Sequence, residues 1–159
     1  MKKKELQALK NGIEECRSLN GAIFANRLVK NYAKLVEEEK AIEGAKHKPS
    51  EKLTEYLAKE TELLKNYAKK DDKGELIVRQ DEDKNTHYTF DNIKEVNEAV
   101  KALKLEYPEA VEEIKKASED FSKLLEEPLD IEFIKIKEAD IPNSITVQQL
   151  AAIECLIED

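Results

Sequence analysis

The chain has 159 residues, of which 39% are charged and 6% aromatic, and its net charge is −8. This acidic balance argues against a general nucleic-acid-binding protein, which normally presents a basic surface. Two cysteines are too few for a disulfide scaffold, and no apolar run approaches the roughly 18 residues of a membrane span. Abundant Glu, Lys, Leu and Ala with few Gly and Pro predict a mainly helical α+β protein.

The first predicted helix covers residues 4–44. Its apolar residues recur every three or four positions and therefore share one face: Leu6, Leu9, Ile13, Cys16, Leu19 and Ile23. The phase slips at Gly21, which marks either a bend or the close approach of another backbone. After a break at 44–49, Ser50 or Pro49 begins a second helix over 50–70, so we expect an αα-hairpin.

A β-hairpin is predicted over residues 75–90. The turn Asp71-Asp72-Lys73-Gly74 precedes a short apolar run, and His87-Tyr88-Thr89-Phe90 has the composition of a second strand. Alternation along that strand places Tyr88 and Phe90 on the same face. A two-stranded hairpin is marginal by itself, so we expect a third strand or a helix to cover it.

A long helix is predicted over residues 91–127, capped by Asp91 or Asn92. Its apolar seam repeats at alternating spacings of three and four, which is typical of coiled-coil packing: Ile93, Val96, Val100, Leu103, Tyr107, Ala110, Ile114, Ala117, Phe121 and Leu124. Pro108 interrupts the helical hydrogen bonds, but the seam keeps its phase across it. We therefore expect one kinked, continuous helix rather than two separate helices.

The remaining residues predict a strand over 129–137 and a short helix over 146–158. The apolar face of the strand changes between Phe133 and Ile134, which indicates a β-bulge, and the strand could complete a three-stranded sheet with the hairpin. Thr146 and Gln149 form a capping box for the last helix. These elements predict a single elongated domain over residues 1–159, with long helices and a small antiparallel sheet at one end.

No motif in the chain predicts a catalytic, cofactor or metal site. Asp81, Asp83 and Asn85 match the first three ligand positions of a calcium loop, but Thr86 stands where the loop needs glycine. We therefore interpret 81–85 as a polar hairpin turn. The two histidines, His47 and His87, have no partner at metal-ligand spacing, so we expect no metal, no cofactor and no enzymatic activity.

The candidate binding residues are Arg79, Tyr88 and Phe90. Two aromatic rings on one face of a small sheet could stack on a planar ligand or on a partner surface, and an arginine on the paired strand would supply charge for a phosphate. The alternative interpretation is that the rings belong to the hydrophobic core. Arg79, Tyr88 and Phe90 are therefore the candidate residues near which a partner or ligand would dock.

Three stretches carry a resemblance to a known family: Leu6-Gln7-Ala8-Leu9 continuing to Gly21-Ala22-Ile23-Phe24-Ala25-Asn26-Arg27-Leu28-Val29-Lys30-Asn31, then Asn66-Tyr67-Ala68-Lys69-Lys70-Asp71, and last Ile136-Lys137-Glu138-Ala139-Asp140-Ile141-Pro142 with Ile145-Thr146-Val147-Gln148-Gln149-Leu150. In these stretches the chain resembles small phage and prophage proteins of unknown function from Gram-positive hosts. The resemblance implies a viral protein and brings no catalytic residues.

The functional expectation follows from these points. We expect a non-enzymatic phage interaction protein, cytoplasmic in its host, that binds and blocks a host factor or a small signalling ligand, as counter-defence proteins do. The alternative is an accessory protein of the virion or of its assembly. The helical seams exceed the surface available to cover them, so we also expect a homo-oligomer, with no general nucleic-acid binding and no membrane association.

Overall fold

The structure, a computed structural model, describes residues 1–81 and 86–158. Six helices and two strands follow in the order α1 (Leu6–Glu15), α2 (Ala22–Gly44), α3 (Glu51–Tyr67), β1 (Val78–Gln80), β2 (Thr86–Tyr88), α4 (Ile93–Glu106), α5 (Pro108–Glu126) and α6 (Val147–Ala152). Short 3-10 turns occupy Lys3–Glu5, Glu138–Asp140 and Glu154–Leu156. The predicted mainly α fold with a small antiparallel sheet is confirmed.

The internal contacts group the chain into two compact units, where the sequence predicts one domain. The terminal unit contains Met1–Lys46 and Glu119–Asp159, and the hairpin unit contains His47–Ser118. The helix α5 contributes residues to both units. Among the described residues, no helix is long and apolar enough to cross a membrane.

The predicted first helix over 4–44 is wrong, because the terminal unit contains two helices there, α1 and α2. Gly21 separates them with a φ of +148°, a conformation that a residue with a Cβ rarely adopts. The predicted bend at Gly21 is therefore confirmed. The close approach of another backbone occurs instead at Gly12, where an added Cβ would lie 2.8 Å from the carbonyl oxygen of Ala152 in α6.

The core of the terminal unit combines the inner faces of α1 and α2 with apolar residues from the C-terminal segment. Its fully buried members include Phe24, Leu35, Ile136, Ile153 and Leu156. Half-buried side chains such as Phe121 and Leu124 of α5 pack against them. The apolar periodicity of α1 therefore predicts the buried face correctly for Leu6, Leu9, Ile13 and Cys16.

Residues 129–137 do not form the predicted strand, and the sheet of the hairpin has only two strands in the described part of the chain. The segment is extended, and three of its backbone polar groups bond to side chains of α2 instead of to another strand. The amide of Asn31 accepts from the Ile134 N–H and donates to the Ile134 carbonyl, both at 2.8 Å. Lys34 donates to the Glu132 carbonyl at 2.5 Å.

This segment runs antiparallel to α2, as the order of its partners shows. Arg27, one turn before Asn31, forms a 2.9 Å ion pair with Asp140. Within residues 129–137, Ile136 is the residue that forms a β-bridge, and its parallel partner is Ile157. Asn31 and Lys34 of α2 therefore satisfy backbone groups that a sheet would otherwise satisfy, and Arg27 adds an ion pair just beyond the far end of the segment.

The N-terminal lysines are ordered, whereas a short charged start is normally expected to be disordered. Lys2 and Lys4 contact the Glu126 carboxylate at 2.7 and 2.6 Å, and Lys3 contacts Glu127 at 2.8 Å. These cations lie at the C-terminal end of α5, where the helix dipole favours positive charge.

The hairpin unit is built on α3 and α4, which lie antiparallel. Ala68 at the end of α3 bridges Phe90 just before α4, while Tyr56 in the first half of α3 stacks on Tyr107 after α4. Polar side chains cap the N-terminal ends of both helices. Ser50 accepts from the Leu53 N–H at 3.1 Å at the start of α3, and Asn92 accepts from the Glu95 N–H at 3.3 Å at the start of α4. The buried core is small and consists of Leu53, Tyr56, Leu103 and Ala110.

The prediction of one continuous helix across Pro108 is wrong. Tyr107 has φ −122° and ψ 55°, which is outside the helical region, and separates α4 from α5. The clash between a proline ring and the preceding residue disfavours helical geometry at that residue. Pro108 then occupies the first position of α5, where its missing N–H costs nothing, and Val111 N–H bonds to the Tyr107 carbonyl.

The seam from Ile93 to Leu124 is buried only in part. Val96, Leu103 and Ala110 are buried, as the heptad pattern predicts, but Ile93 is 63% exposed and Ile114 40% exposed. A regular apolar repeat in the sequence therefore overstates how much of the seam is covered.

Candidate functional site

The hairpin that carries the predicted binding residues is short and exposed. Val78 pairs with Tyr88, Arg79 with His87, and Gln80 with Thr86. Below the strands, the backbone of Lys69 bonds to both arms of the hairpin, accepting from Ile77 N–H and donating to the Thr89 carbonyl. The end of α3 therefore anchors the base of the hairpin, while strands β1 and β2 extend beyond that anchor.

The register brings together two of the three predicted site residues. Tyr88 and Phe90 share a face, with ring centroids 6.5 Å apart, and both side chains are half-buried. Val78 lies opposite Tyr88 on that face and is 44% exposed. Arg79 points to the other face with His87, because successive residues of a strand alternate.

The face of Arg79 is polar. His87 Nε2 lies 2.9 Å from the Asp81 carboxylate. The rest of the tip, residues 82–85, lies outside the described residues, so the predicted polar turn over 81–85 stays a prediction. The aromatic face and the charged face of the hairpin are thus separate surfaces, rather than the single aromatic and cationic site that the sequence predicts.

A carboxylate clasp holds the start of α3 in the hairpin unit. Glu113 of α5 accepts from the Ser50 hydroxyl at 2.5 Å and the Ser50 N–H at 2.9 Å, and it contacts His47 Nε2 at 2.6 Å. The Ser50 hydroxyl, followed by His47, lowers the pKa of Glu113 to about 2. Both partners bind the carboxylate, and the Ser50 hydroxyl also accepts from the Leu53 N–H as the cap of α3.

A second polar cluster surrounds Tyr107. Its hydroxyl donates to Glu55 at 2.7 Å and contacts Lys59, and its ring lies 5.9 Å from that of Tyr56. Burial, followed by a hydrogen bond to Glu60, raises the pKa of Tyr56. A cavity of about 290 Å³ beside this cluster is lined by charged side chains, including Lys52, Glu55, Glu106 and Glu109.

A mainly apolar pocket in the terminal unit has no counterpart in the sequence-based prediction. It measures about 230 Å³ between α1 and α2, and buried Ile13, Cys16 and Leu28 line it together with exposed Val29. Tyr32 at its edge donates to Glu14 at 2.6 Å. The sequence feature that could have indicated this pocket is the change of phase at Gly21, because Gly21 separates two helices that then pack side by side.

The reactive residue types are placed as follows. Cys16 is buried and Cys155 exposed, and desolvation raises the pKa of both thiols. His47 and His87 each contact a carboxylate. In residues 1–81 and 86–158, no group of three His, Cys, Asp or Glu side chains is arranged to hold a metal ion.

Comparison with known proteins assigns no function to the chain. No family model, no curated protein and no solved structure matches the chain.

Proposed function

We propose that this chain is a non-enzymatic phage protein that binds a host factor or a small signalling ligand in the host cytoplasm and blocks it. The aromatic face of the hairpin, formed by Val78, Tyr88 and Phe90, is the proposed binding surface. Arg79 lies on the opposite face and would contact only a partner large enough to reach both faces. The phage origin rests on the sequence resemblance described above.

The observation that carries this proposal is the exposed two-stranded ribbon. Its strands contain three residues each, and all of their residues except Tyr88 are exposed. An isolated two-stranded hairpin gains little stability in water. A partner that adds a strand or covers the aromatic face would supply the missing contacts, which is a common mode of peptide and protein recognition.

We also propose that the chain self-associates. Large apolar side chains remain exposed throughout the hairpin unit: Leu57 (41%), Tyr67 (38%), Val78 (44%), Ile93 (63%), Leu105 (75%) and Ile114 (40%). Among the described residues of that unit, four form its buried cluster. Association would bury apolar surface that the unit itself leaves in water.

The test of the binding surface is purification of the tagged protein from host cells, followed by mass spectrometry of what accompanies it. Tyr88→Thr keeps a residue that favours strands but removes the ring. The matched control is His87→Thr, because it changes the other face of the same strand. We expect the wild type and the His87 variant to retain the same protein or small molecule, and the Tyr88 variant to lose it.

The opposite result would overturn the proposal. If the Tyr88 variant retains the same companion as the wild type, the aromatic face is not the binding surface. If only the His87 variant loses the companion, the charged face binds instead. A wild-type protein that carries no specific companion would contradict the proposed blocking function.

A further inference from the structure

An apolar groove lies on the C-terminal part of the terminal unit. Its cavity measures about 410 Å³ and is lined by Val147, Leu150 and Ala151 of α6 with Ile157. Val147 is 86% exposed and Leu150 36% exposed. Exposed apolar residues of this size at a concave surface mark a site that another molecule can cover.

Two acidic residues complete the groove. Glu154 and Glu158 line the same cavity, and neither carboxylate has a hydrogen-bond or ion-pair partner among the described residues. A neighbouring cation, Lys135, donates to the carbonyls of Cys155 and Ile157 at 3.0 and 3.4 Å and does not line the cavity. An occupant should therefore combine an apolar side chain with positive charge.

The hairpin unit displays a surface of that composition on α4. Leu105 is 75% exposed. Lys101, one turn earlier, and Lys104, the preceding residue, have no partner within residues 1–81 and 86–158. Glu106, the acidic neighbour of Leu105, lines the cavity beside Tyr107. The positive charge beside Leu105 is therefore that of Lys101 and Lys104.

We infer that the α4 surface around Leu105 docks into the C-terminal groove of a second copy of this chain. Val147 and Leu105 are the two most exposed of the large apolar side chains in the described part of the chain. Val147 is accompanied by Glu154 and Glu158 and Leu105 by Lys101 and Lys104, and none of these four charged groups is paired within residues 1–81 and 86–158. The contact would cover both apolar residues and pair the four charges, so the two surfaces complement each other in both respects.

The inferred contact joins two different surfaces, and this determines the kind of assembly. Each copy that uses its groove still presents a free α4 surface, so copies add head to tail and form either a closed ring or an open chain. The inference rests on the proposed self-association, and it names the surfaces through which that association occurs. It does not depend on the binding of a host factor by the hairpin.

The first measurement is sedimentation of the full-length protein over a range of concentrations. We expect the mean mass to rise above 18.2 kDa with concentration and to fall again when the ionic strength is raised, because salt screens the four charges. A mass that stays at the monomer value up to about 100 µM would overturn both the self-association and the inferred contact.

The second measurement is a charge reversal with rescue. Lys101→Glu with Lys104→Glu, or Glu154→Lys with Glu158→Lys, should each weaken association at least about tenfold, because like charges would then face each other. An equimolar mixture of the two variants should associate again, since the reversed α4 surface of one fits the reversed groove of the other. The matched control for the lysine reversal is Lys115→Glu with Lys116→Glu, which makes the same change in net charge elsewhere in the hairpin unit.

The outcomes separate the contact from self-association in general. If the wild type associates but the two reversals behave like the control, the inferred contact is wrong and self-association stands. If the reversals weaken association but the mixture does not restore it, the paired contact is also wrong. Circular dichroism of each variant identifies loss of folding, and the rescue by mixing requires that both variants are folded.

Discussion

Asn31 is a polar residue with no access to solvent in the core of the terminal unit. Its amide group forms two 2.8 Å hydrogen bonds with the backbone of Ile134, in the pattern that a neighbouring β-strand would offer. A buried backbone N–H and carbonyl must find partners, and here one side chain supplies both. The residue therefore fixes where the extended segment lies along α2.

The first prediction concerns the replacement of Asn31 by Leu. The side chain is similar in size, but the Ile134 N–H and carbonyl lose their partners, so we expect a loss of about 2–4 kcal/mol in the free energy of unfolding. Urea denaturation measures this change. The control is Asn26→Leu at an exposed position of the same helix, which should change stability by less than about 0.5 kcal/mol. Equal stability of both variants would contradict the role assigned to Asn31.

The clasp between Glu113 and the start of α3 shows how one element holds another. Three donors from Ser50 and His47 meet one carboxylate, and the hydroxyl of Ser50 also caps α3. The clasp requires the ionised carboxylate, because a protonated carboxyl accepts fewer hydrogen bonds. The position of α3 against α5 is therefore linked to pH.

The second prediction is the sign of that pH dependence. The pKa of Glu113 is lowered from its ordinary 4.5 to about 2, so the folded state binds the proton less tightly than the unfolded chain. The stabilisation is fully present above pH 4.5 and is lost as the pH falls towards 2. The melting temperature of the wild type should therefore fall between pH 6 and pH 3 by more than that of Glu113→Gln.

The matched control for this comparison is Glu62→Gln on α3. Glu62 is exposed and has no partner in the described part of the chain, so its removal should leave the pH dependence of the wild type unchanged. Glu126, whose pKa is also lowered to about 2, is present in all three proteins and cancels in the comparison. Identical pH profiles for the wild type and the Glu113 variant would show that the clasp contributes nothing.

The elements that the sequence predicts well are those defined by neighbouring residues. The caps at Ser50, Asn92 and Thr146 are local hydrogen bonds. The capping box at Thr146 forms as predicted, and Ser50 and Asn92 are each one of the two residues that the sequence offers at their helix start. Residues 129–137 have the alternation of a strand, yet their partner is Asn31, about 100 residues away, which no local pattern indicates. At Pro108 the sequence carries two opposing indications, a regular seam that favours one helix and a proline that disfavours helical geometry at Tyr107. The prediction followed the seam, whereas the steric effect of the proline decides the structure.

In the candidate site, too, the sequence predicts the local features and misses those that depend on distant contacts. Alternation along β2 predicts that Tyr88 and Phe90 share a face, and they do. The placement of Arg79 depends on the register between the strands, and the sequence of the turn did not determine that register. Leu105 lies outside the predicted seam and is exposed, whereas Leu103 lies in it and is buried. The exposure of Val147 depends on distant packing, so no local pattern distinguishes it from buried Ile153.

The two units of the whole molecule differ in how much core they contain. Eleven buried residues form the core cluster of the terminal unit, and four form that of the hairpin unit. Local stability follows the amount of buried apolar contact, and regions with little of it open more often. The hairpin unit should therefore be the more dynamic of the two on the timescale of amide exchange.

The third prediction is a difference in hydrogen exchange within the intact protein. Corrected for intrinsic rates, amides in the middle of α3 should exchange at least about tenfold faster than those in the middle of α2, because fewer buried contacts must break to expose them. Mass spectrometry of the exchanged and digested protein measures both helices in one sample. Equal protection of the two helices would show that the chain opens as one cooperative unit.

The terminal unit is made from both ends of the sequence, and this has a consequence for synthesis on the ribosome. The helices α1 and α2 are made before the hairpin unit, but Ile136, Ile153 and Leu156 of their core are made after it. At 5–20 residues per second, residues 119–159 follow the completed hairpin unit by roughly 2–8 s. During that interval the apolar faces of α1 and α2 in the nascent chain lack their partners and are open to chaperones.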